Sequence, residues 1–170
     1  MNVENIRESF RPKRIRLLFI GESPPASGKF FYLKSAMTTF TSRAFEKAYN
    51  KKFSGTKDFL DFFKTCGCYL DDLSHIPVDA MPSEQRERIL LDSISALSDR
   101  LKIYSPEIIT VALKKIGRHA KKAINQASLS CPVYTLPFAG SGHQNKYIEE
   151  LVHILETSKG QIVRTPSIML

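Results

Sequence analysis

The stretch that decides the fold is IRLLFIGESPPASGKFFY, residues 15–32. Its first part, residues 15–20, is almost entirely apolar, which predicts a strand buried on both faces. The run ends at Gly21, and a polar loop stiffened by two prolines follows. In α/β proteins, chemistry is placed where a buried strand ends in such a loop, and this one offers the Glu22 carboxylate and the Ser23 hydroxyl.

Residues 23–30, SPPASGKF, look like a phosphate-binding loop, but the pattern fails. That loop needs a first glycine and a serine or threonine after the lysine, and these positions hold Ser23 and Phe30. Pro24 and Pro25 also lack the backbone N–H groups that cradle a phosphate. We therefore exclude a nucleoside triphosphatase of this type.

Composition bounds the possible functions. A chain of 170 residues with 42% hydrophobic residues fits a single globular domain, residues 1–170. No segment approaches the roughly 18 apolar residues of a membrane span, and the N-terminus lacks a signal-peptide layout. The net charge of +8 favours a polyanionic partner, nucleic acid before membrane.

The cysteines give no sign of a metal site or of disulfides. There are three, an odd number, and Cys66 and Cys68 are too close for a common metal-binding pair. Free thiols fit a reducing compartment, so we expect a cytoplasmic protein with no metal and no cofactor.

Hydrophobic periodicity predicts alternating strands and helices. The predicted strands are 15–20, 66–70, 107–111 and 131–136, and the predicted helices are 35–52, 57–64, 83–104, 112–127 and 144–156, with a short helix within 1–14. This alternation predicts an α/β fold, a three-layer αβα sandwich around a four-stranded parallel sheet. The loops 22–32, 71–75 and 137–144 then meet at the carboxyl ends of the strands, where such sheets bind ligands. The tail from residue 160 has no predicted element.

These loops resemble the motifs of the uracil-DNA glycosylase superfamily over about residues 15–157. GESP, residues 21–24, resembles the first motif, and Phe30-Phe31 resembles the nearby aromatic that stacks on a flipped base. YLDDL, residues 69–73, resembles the second strand, whose end usually carries a base-reading asparagine. LPFAGSGH, residues 136–143, resembles the last motif, which contacts backbone phosphates and inserts a wedge into the duplex.

The chain also departs from that pattern. Leu136 stands where many members have the histidine that stabilises the departing base, and Ser23 stands where the most active branch has a water-activating aspartate. Three cysteines cannot build the four-cysteine iron–sulfur cluster of two branches. Asp72 occupies the asparagine position.

The resemblance implies a monofunctional DNA glycosylase that removes a base and leaves an abasic site, because no lysine is clearly placed for Schiff-base chemistry. Glu22 or Ser23 would orient the attacking water. Phe30 and Phe31 could both belong to the core, but successive residues of an extended segment point to opposite sides, so we expect one to face the core and the other the pocket. Phe31 is the favoured residue to stack on the base, with Phe30 as the other candidate. Asp72 would read the base. The residues expected to contact DNA are Pro24, Ser27, Lys29, Ser141, Gly142, His143, Gln144 and Lys146.

The aspartate at position 72 affects which base is the expected target. An ionised aspartate only accepts hydrogen bonds, so it suits the N4 amine of a cytosine better than the O4 of uracil. Because removal of ordinary cytosine would destroy the host genome, a modified cytosine of phage DNA is the consistent target, which makes this a defence enzyme. A protonated Asp72 would imitate asparagine and suit uracil, as in DNA repair.

Other interpretations stay open. Glu22 could be an exposed loop carboxylate, Asp71 and Asp72 could cap a turn, and Ser141 could be an N-cap. The lysines of helix 112–127 could be a solvated face. The whole protein could be a nucleic-acid binder without catalysis, or an unrelated α/β enzyme that acts on a nucleotide.

Overall fold

The structure, a computed structural model, describes residues 2–140 and 142–162. Strands and helices alternate along this part of the chain. The elements are α1 (Val3–Ser9), β1 (Leu17–Gly21), α2 (Ala36–Tyr49), α3 (Thr56–Thr65), β2 (Cys68–Asp72), α4 (Ser83–Tyr104), β3 (Ile108–Val111), α5 (Gly117–Gln126), β4 (Val133–Thr135), α6 (Gln144–Thr157) and α7 (Lys159–Ile162).

The four strands form one parallel sheet in the order β2-β1-β3-β4. Strand β1 lies in the middle, paired with β2 on one side and β3 on the other, and all five of its residues are buried. Helix α2 packs against α6, and α4 against α5, as expected for an αβα sandwich. The predicted α/β class and the four-stranded parallel sheet are confirmed.

The strand order reverses between β1 and β3, because the chain leaves β1 towards β2 and later returns to the other side of β1. The loops that follow these two strands therefore diverge and leave a crevice at their carboxyl ends. Open α/β sheets bind ligands at this topological switch point.

Three predicted boundaries were wrong, and the first two affect the site. Strand β2 extends to Asp72, which pairs in register with Gly21, so the two aspartates belong to the strand rather than to the loop after it. The predicted helix 112–127 begins only at Gly117, after a 3₁₀ turn at Lys114–Ile116. Helix α2 ends at Tyr49 because Asn50 takes the left-handed conformation.

The predictions for the termini have a mixed outcome. The short N-terminal helix is present as α1. The tail has one element within the described residues, α7, and residues 163–170 lie outside them. No helix between residues 2 and 162 is long and apolar enough to cross a bilayer.

Candidate functional site

A cleft of about 800 Å³ opens at the carboxyl ends of β1 and β3. This volume is within the range, about 300–1,000 Å³, that small-molecule sites usually occupy. The loops after β1 and β3 contribute to its walls, together with the end of β2, the start of α2, the first turn of α4 and the loop between β4 and α6. Two of the predicted loops, 22–32 and 137–144, therefore line one cavity together with the loop after β3. The predicted loop 71–75 contributes only Asp72, which is the last residue of β2.

Two phenylalanines form an aromatic wall of the cleft. Phe30 and Phe31 both line it and both are buried. The ring of Phe31 also packs into the aromatic core, 5.3 Å from that of Phe63 between centroids. The expectation that one phenylalanine faces the core and the other the pocket was wrong, because Phe31–Leu33 is a 3₁₀ turn rather than an extended segment.

Glu22 lies in the cleft and is held by two cations. Its Oε1 accepts hydrogen bonds from Nε and Nη2 of Arg86 at 3.1 and 2.6 Å, and Nη2 also contacts Oε2. The ammonium of Lys115 lies 3.4 Å from Oε1. The Glu22 side chain is only 12% exposed, so it is not a solvated loop carboxylate. This cluster carries one more positive than negative charge.

Ser23 also lines the cleft, together with the two prolines that follow it. Its Oγ accepts a hydrogen bond from the backbone N–H of Val78 at 3.2 Å. Within the described residues the Ser23 hydroxyl donates no hydrogen bond, so its proton is available to a ligand or a water.

Asp72 lies on the floor of the cleft and is buried. Its Oδ2 accepts a hydrogen bond from Nη2 of Arg7 at 2.8 Å. Its Oδ1 lies against Gly21, where a Cβ would collide with it, so only glycine leaves room for this carboxylate. Burial raises the pKa of Asp72, and the charge and hydrogen bond of Arg7 oppose that rise.

Asp71 has a different environment and does not line the cleft. It contacts the guanidinium groups of Arg100 at 2.6 Å and Arg7 at 3.2 Å, and it hydrogen-bonds His75 at 2.8 Å and Tyr104 at 3.2 Å. Burial alone would raise the pKa of Asp71, but the His75 hydrogen bond and the two arginines together hold it well below its usual range. Neither aspartate is a turn cap.

The predicted DNA-contacting residues divide into two groups. Pro24, Lys29, His143 and Lys146 line the cleft. Ser27, Gly142 and Gln144 do not; Ser27 and Gly142 are exposed on the surface. Ser141 lies outside the described residues. Helix α6 begins at Gln144, and His143 holds its N-cap position.

Sequence reasoning missed several residues at this site. Arg7 and Arg86 sit on helices whose patterns gave no signal of where these side chains point. The sequence favours a solvated helix face for Lys114 and Lys115, but both line the cleft from the turn after β3. With Lys29 and Lys146 they place four lysines on its walls.

The loop between β4 and α6 carries a further residue that was overlooked. Phe138 lines the cleft and is 51% exposed, which is unusual for a phenylalanine. A Cβ on Gly140 would lie 2.8 Å from the Phe138 ring, so this glycine makes room for the ring. An exposed aromatic ring at the mouth of a cavity is available to contact a ligand.

The same part of the chain contains no group of three or more histidine, cysteine or acidic side chains placed to hold a metal ion. Cys66, Cys68 and Cys131 are free thiols. No protein-family model matches the chain, and no curated protein matches it.

Proposed function

We propose that this protein is a DNA glycosylase that takes a flipped-out base into the cleft and removes it by hydrolysis. The observation that carries the proposal is the Asp72 carboxylate on the floor of a cavity that has an aromatic wall and a cationic rim. A base presents one polar edge and two apolar faces, which this combination fits. The resemblance of the loops to glycosylase motifs supports the same conclusion.

Phosphates would be held at the rim of the cleft. Lys29, Lys114 and Lys146 are exposed there, and the Lys115 side chain is 53% exposed. Extrusion of the nucleotide costs a few kcal/mol for unpairing and unstacking. The base would then lie against Phe31 and Phe30, with its polar edge towards Asp72.

Hydrolysis needs a water at the sugar carbon that bears the base. Both oxygens of Glu22 contact Arg86, but Oε1 accepts two hydrogen bonds and also lies beside Lys115, whereas Oε2 accepts one. The second lone pair of Oε2 and the Ser23 hydroxyl are therefore the groups available to orient that water. The water oxygen forms a bond to the sugar carbon, the carbon–nitrogen bond breaks, and the base leaves with the bonding electrons. The proton that the water loses ends on the departed base, so a sugar hydroxyl and a neutral base result. The excess positive charge of Arg86 and Lys115 would favour such an anionic base, in place of the histidine that the last motif lacks.

The proposed target is a modified cytosine in foreign DNA, with uracil as the other possibility. An ionised Asp72 accepts from the exocyclic amine of a cytosine. Carbonyl oxygens of uracil would instead face an acceptor in a poorly hydrated pocket, which is costly.

The decisive experiment is a panel of oligonucleotides that each carry one modified base, incubated with protein and then cleaved with alkali at abasic sites. We expect cleavage at a substituted cytosine by the wild type. Glu22→Gln is the inactive comparison, and Glu84→Gln, in the first turn of α4 but outside the cleft, is the matched control. Trapping with borohydride tests whether one of the four lysines forms a Schiff base, as a lyase would.

DNA binding distinguishes the rival functions. We expect affinity to fall steeply with salt, because each neutralised phosphate releases counterions. Salt-dependent binding without abasic sites on any oligonucleotide would favour the non-catalytic binder. No binding at low salt would favour an unrelated enzyme that acts on a free nucleotide.

The loop between β4 and α6 would fill the space left by the base. The double variant His143→Ala, Gln144→Ala should weaken action on duplex DNA far more than on single strands, where no gap needs filling. Phe138→Ala is the sharper test, because Phe138 is the large exposed apolar side chain of this loop. Equal losses of activity on duplex and single-stranded DNA would contradict insertion of these side chains into the duplex.

A further inference from the structure

Arg7 is an unusual residue because its charged side chain is fully buried although it lies on the short first helix. Its Nη2 donates to Oδ2 of Asp72 at 2.8 Å, and its Nη1 lies 3.2 Å from Oδ1 of Asp71. Its Nε lies 3.3 Å from the Glu4 carboxylate on the same helix. A buried arginine is costly unless it is paired, so these contacts fix where the guanidinium lies.

The two carboxylates depend on Arg7 to different degrees. Asp71 also contacts Arg100, His75 and Tyr104. Asp72 has no other cation hydrogen-bonded to its carboxylate within the described residues, since Arg100 reaches only its backbone oxygen, at 2.6 Å. Loss of Arg7 would therefore leave Asp71 paired and leave the Asp72 carboxylate without its cation.

We propose that Arg7 is the positioning residue that determines what the cleft reads: by holding Oδ2 of Asp72, it leaves Oδ1 as a charged acceptor that selects a base with an exocyclic amine. The identity of the ligand rests on the proposed function, whereas the effect of Arg7 on the charge of Asp72 does not. With Arg7 in place, each buried aspartate has an arginine partner, Arg7 for Asp72 and Arg100 together with Arg7 for Asp71. Without it, a buried Asp72 holds a proton, presents a donor, and accepts a carbonyl-bearing base instead.

The groups that face Asp72 come from several elements, and the experiment must separate them. Besides Arg7, the groups that face Asp72 directly are Asp71, His75 and Tyr32. Three further groups act indirectly, through their contacts with Arg7 or Asp71: Glu4, Arg100 and Tyr104. Arg7→Gln removes the cation. Glu4→Gln is the matched control, because it removes another contact of Arg7 on the same helix without touching Asp72.

The first measurement needs no substrate: the ¹³C shift of the Asp72 carboxyl carbon is followed against pH. We expect Asp72 to be ionised at pH 7 in the wild type and in Glu4→Gln, and to titrate at higher pH in Arg7→Gln. A protonated wild-type Asp72 at pH 7, or an unchanged midpoint in Arg7→Gln, would overturn the proposal. If Arg7→Gln does not fold, Arg7→Lys takes its place, since a lysine donates without the paired geometry of a guanidinium.

The second measurement is selectivity between two oligonucleotides, one with 5-hydroxymethylcytosine and one with 5-hydroxymethyluracil, whose target bases differ only in the amino or oxo group at position 4 and in the N3 proton that accompanies the oxo group. We expect Arg7→Gln to lower the ratio of their release rates by about tenfold or more, as a lost charge-assisted hydrogen bond implies. In an Asp72→Asn background the same change should leave the ratio unmoved. An unmoved ratio in the wild-type background would refute the role of Arg7, whereas no release of any base would refute the glycosylase function and leave the titration as the test of Arg7.

Discussion

Asp71 and Asp72 are neighbours on β2, and they differ in almost everything except residue type. Their side chains point to opposite faces of the sheet, since successive residues of a strand alternate. Asp71 has four partners and lies away from the cleft, whereas Asp72 has one side-chain partner and borders it. The pKa of Asp71 is held low, while that of Asp72 is raised.

The difference separates a charge that serves the fold from one available to a ligand. Each oxygen of Asp71 is occupied, so the carboxylate can do little except hold α1 and α4 to the end of β2. One oxygen of Asp72 has no hydrogen-bond partner within the described residues and lies beside the cavity. That oxygen is not one of the fully buried unpaired atoms of the described residues, so it is accessible from the cavity and can accept a hydrogen bond from a ligand.

The largest loss of stability should come from removing the charge of Asp71, the carboxylate that serves the fold. We expect Asp71→Asn to lower the free energy of unfolding by about 3–5 kcal/mol, because Arg7 and Arg100 lose a buried partner. Asp72→Asn should cost less than half as much, since the amide oxygen still accepts from Arg7. Denaturant unfolding measures both, with the exposed Asp99→Asn as control. Equal losses for the two would contradict the division of roles.

Glu22 is a third carboxylate, and we expect it to serve the ligand, like Asp72, rather than the fold, like Asp71. Glu22 lines the cleft, so Glu22→Gln should lower base release by about 10²–10⁴-fold while DNA affinity stays near normal. Glu87→Gln is a useful comparison, because Glu87 pairs with His119 outside the cleft. Unchanged turnover in Glu22→Gln would transfer the orientation of water to Ser23, and Ser23→Ala would then be the variant to measure.

The sequence predicted the sheet because β1 and α4 carry strong patterns. The run 15–20 is apolar except for Arg16, and Leu90, Ile94, Leu97 and Leu101 recur on one helical face. These patterns record burial, which is what holds the layers together. The residues at the ends of strands were predicted as a group for the same reason, since topology alone brings them to one edge.

The partners of those residues could not be predicted. Arg7 reaches Asp72 across 65 positions of sequence, and Arg86 reaches Glu22 across 64. No local period or motif encodes such a distant pairing, because it depends on how α1 and α4 pack at the sheet edge. The prediction for Phe30 and Phe31 failed for a different reason. It assumed that side chains alternate between two sides, as in an extended segment, but Phe31 begins a 3₁₀ turn.

The smallest predicted effect distinguishes the two aspartates by pH alone. The unfolded chain has an aspartate pKa of about 3.9. Because the folded pKa of Asp72 is higher, its contribution to stability is complete below pH 4 and declines as pH rises through the folded pKa. The stability of the wild type minus that of Asp72→Asn should therefore fall over this range, by about 1.4 kcal/mol for each unit between the two pKa values.

Asp71 should give a difference curve of the opposite slope. Its folded pKa lies below the unfolded value, so its contribution is complete above pH 4 and is lost as pH falls towards the folded pKa. Subtraction of each asparagine variant from the wild type cancels the other titrating groups, so unfolding curves at several pH values isolate one carboxyl at a time. Slopes of the same sign would show that both aspartates serve the fold alike, and the assignment of Asp72 to the ligand would lose its electrostatic basis.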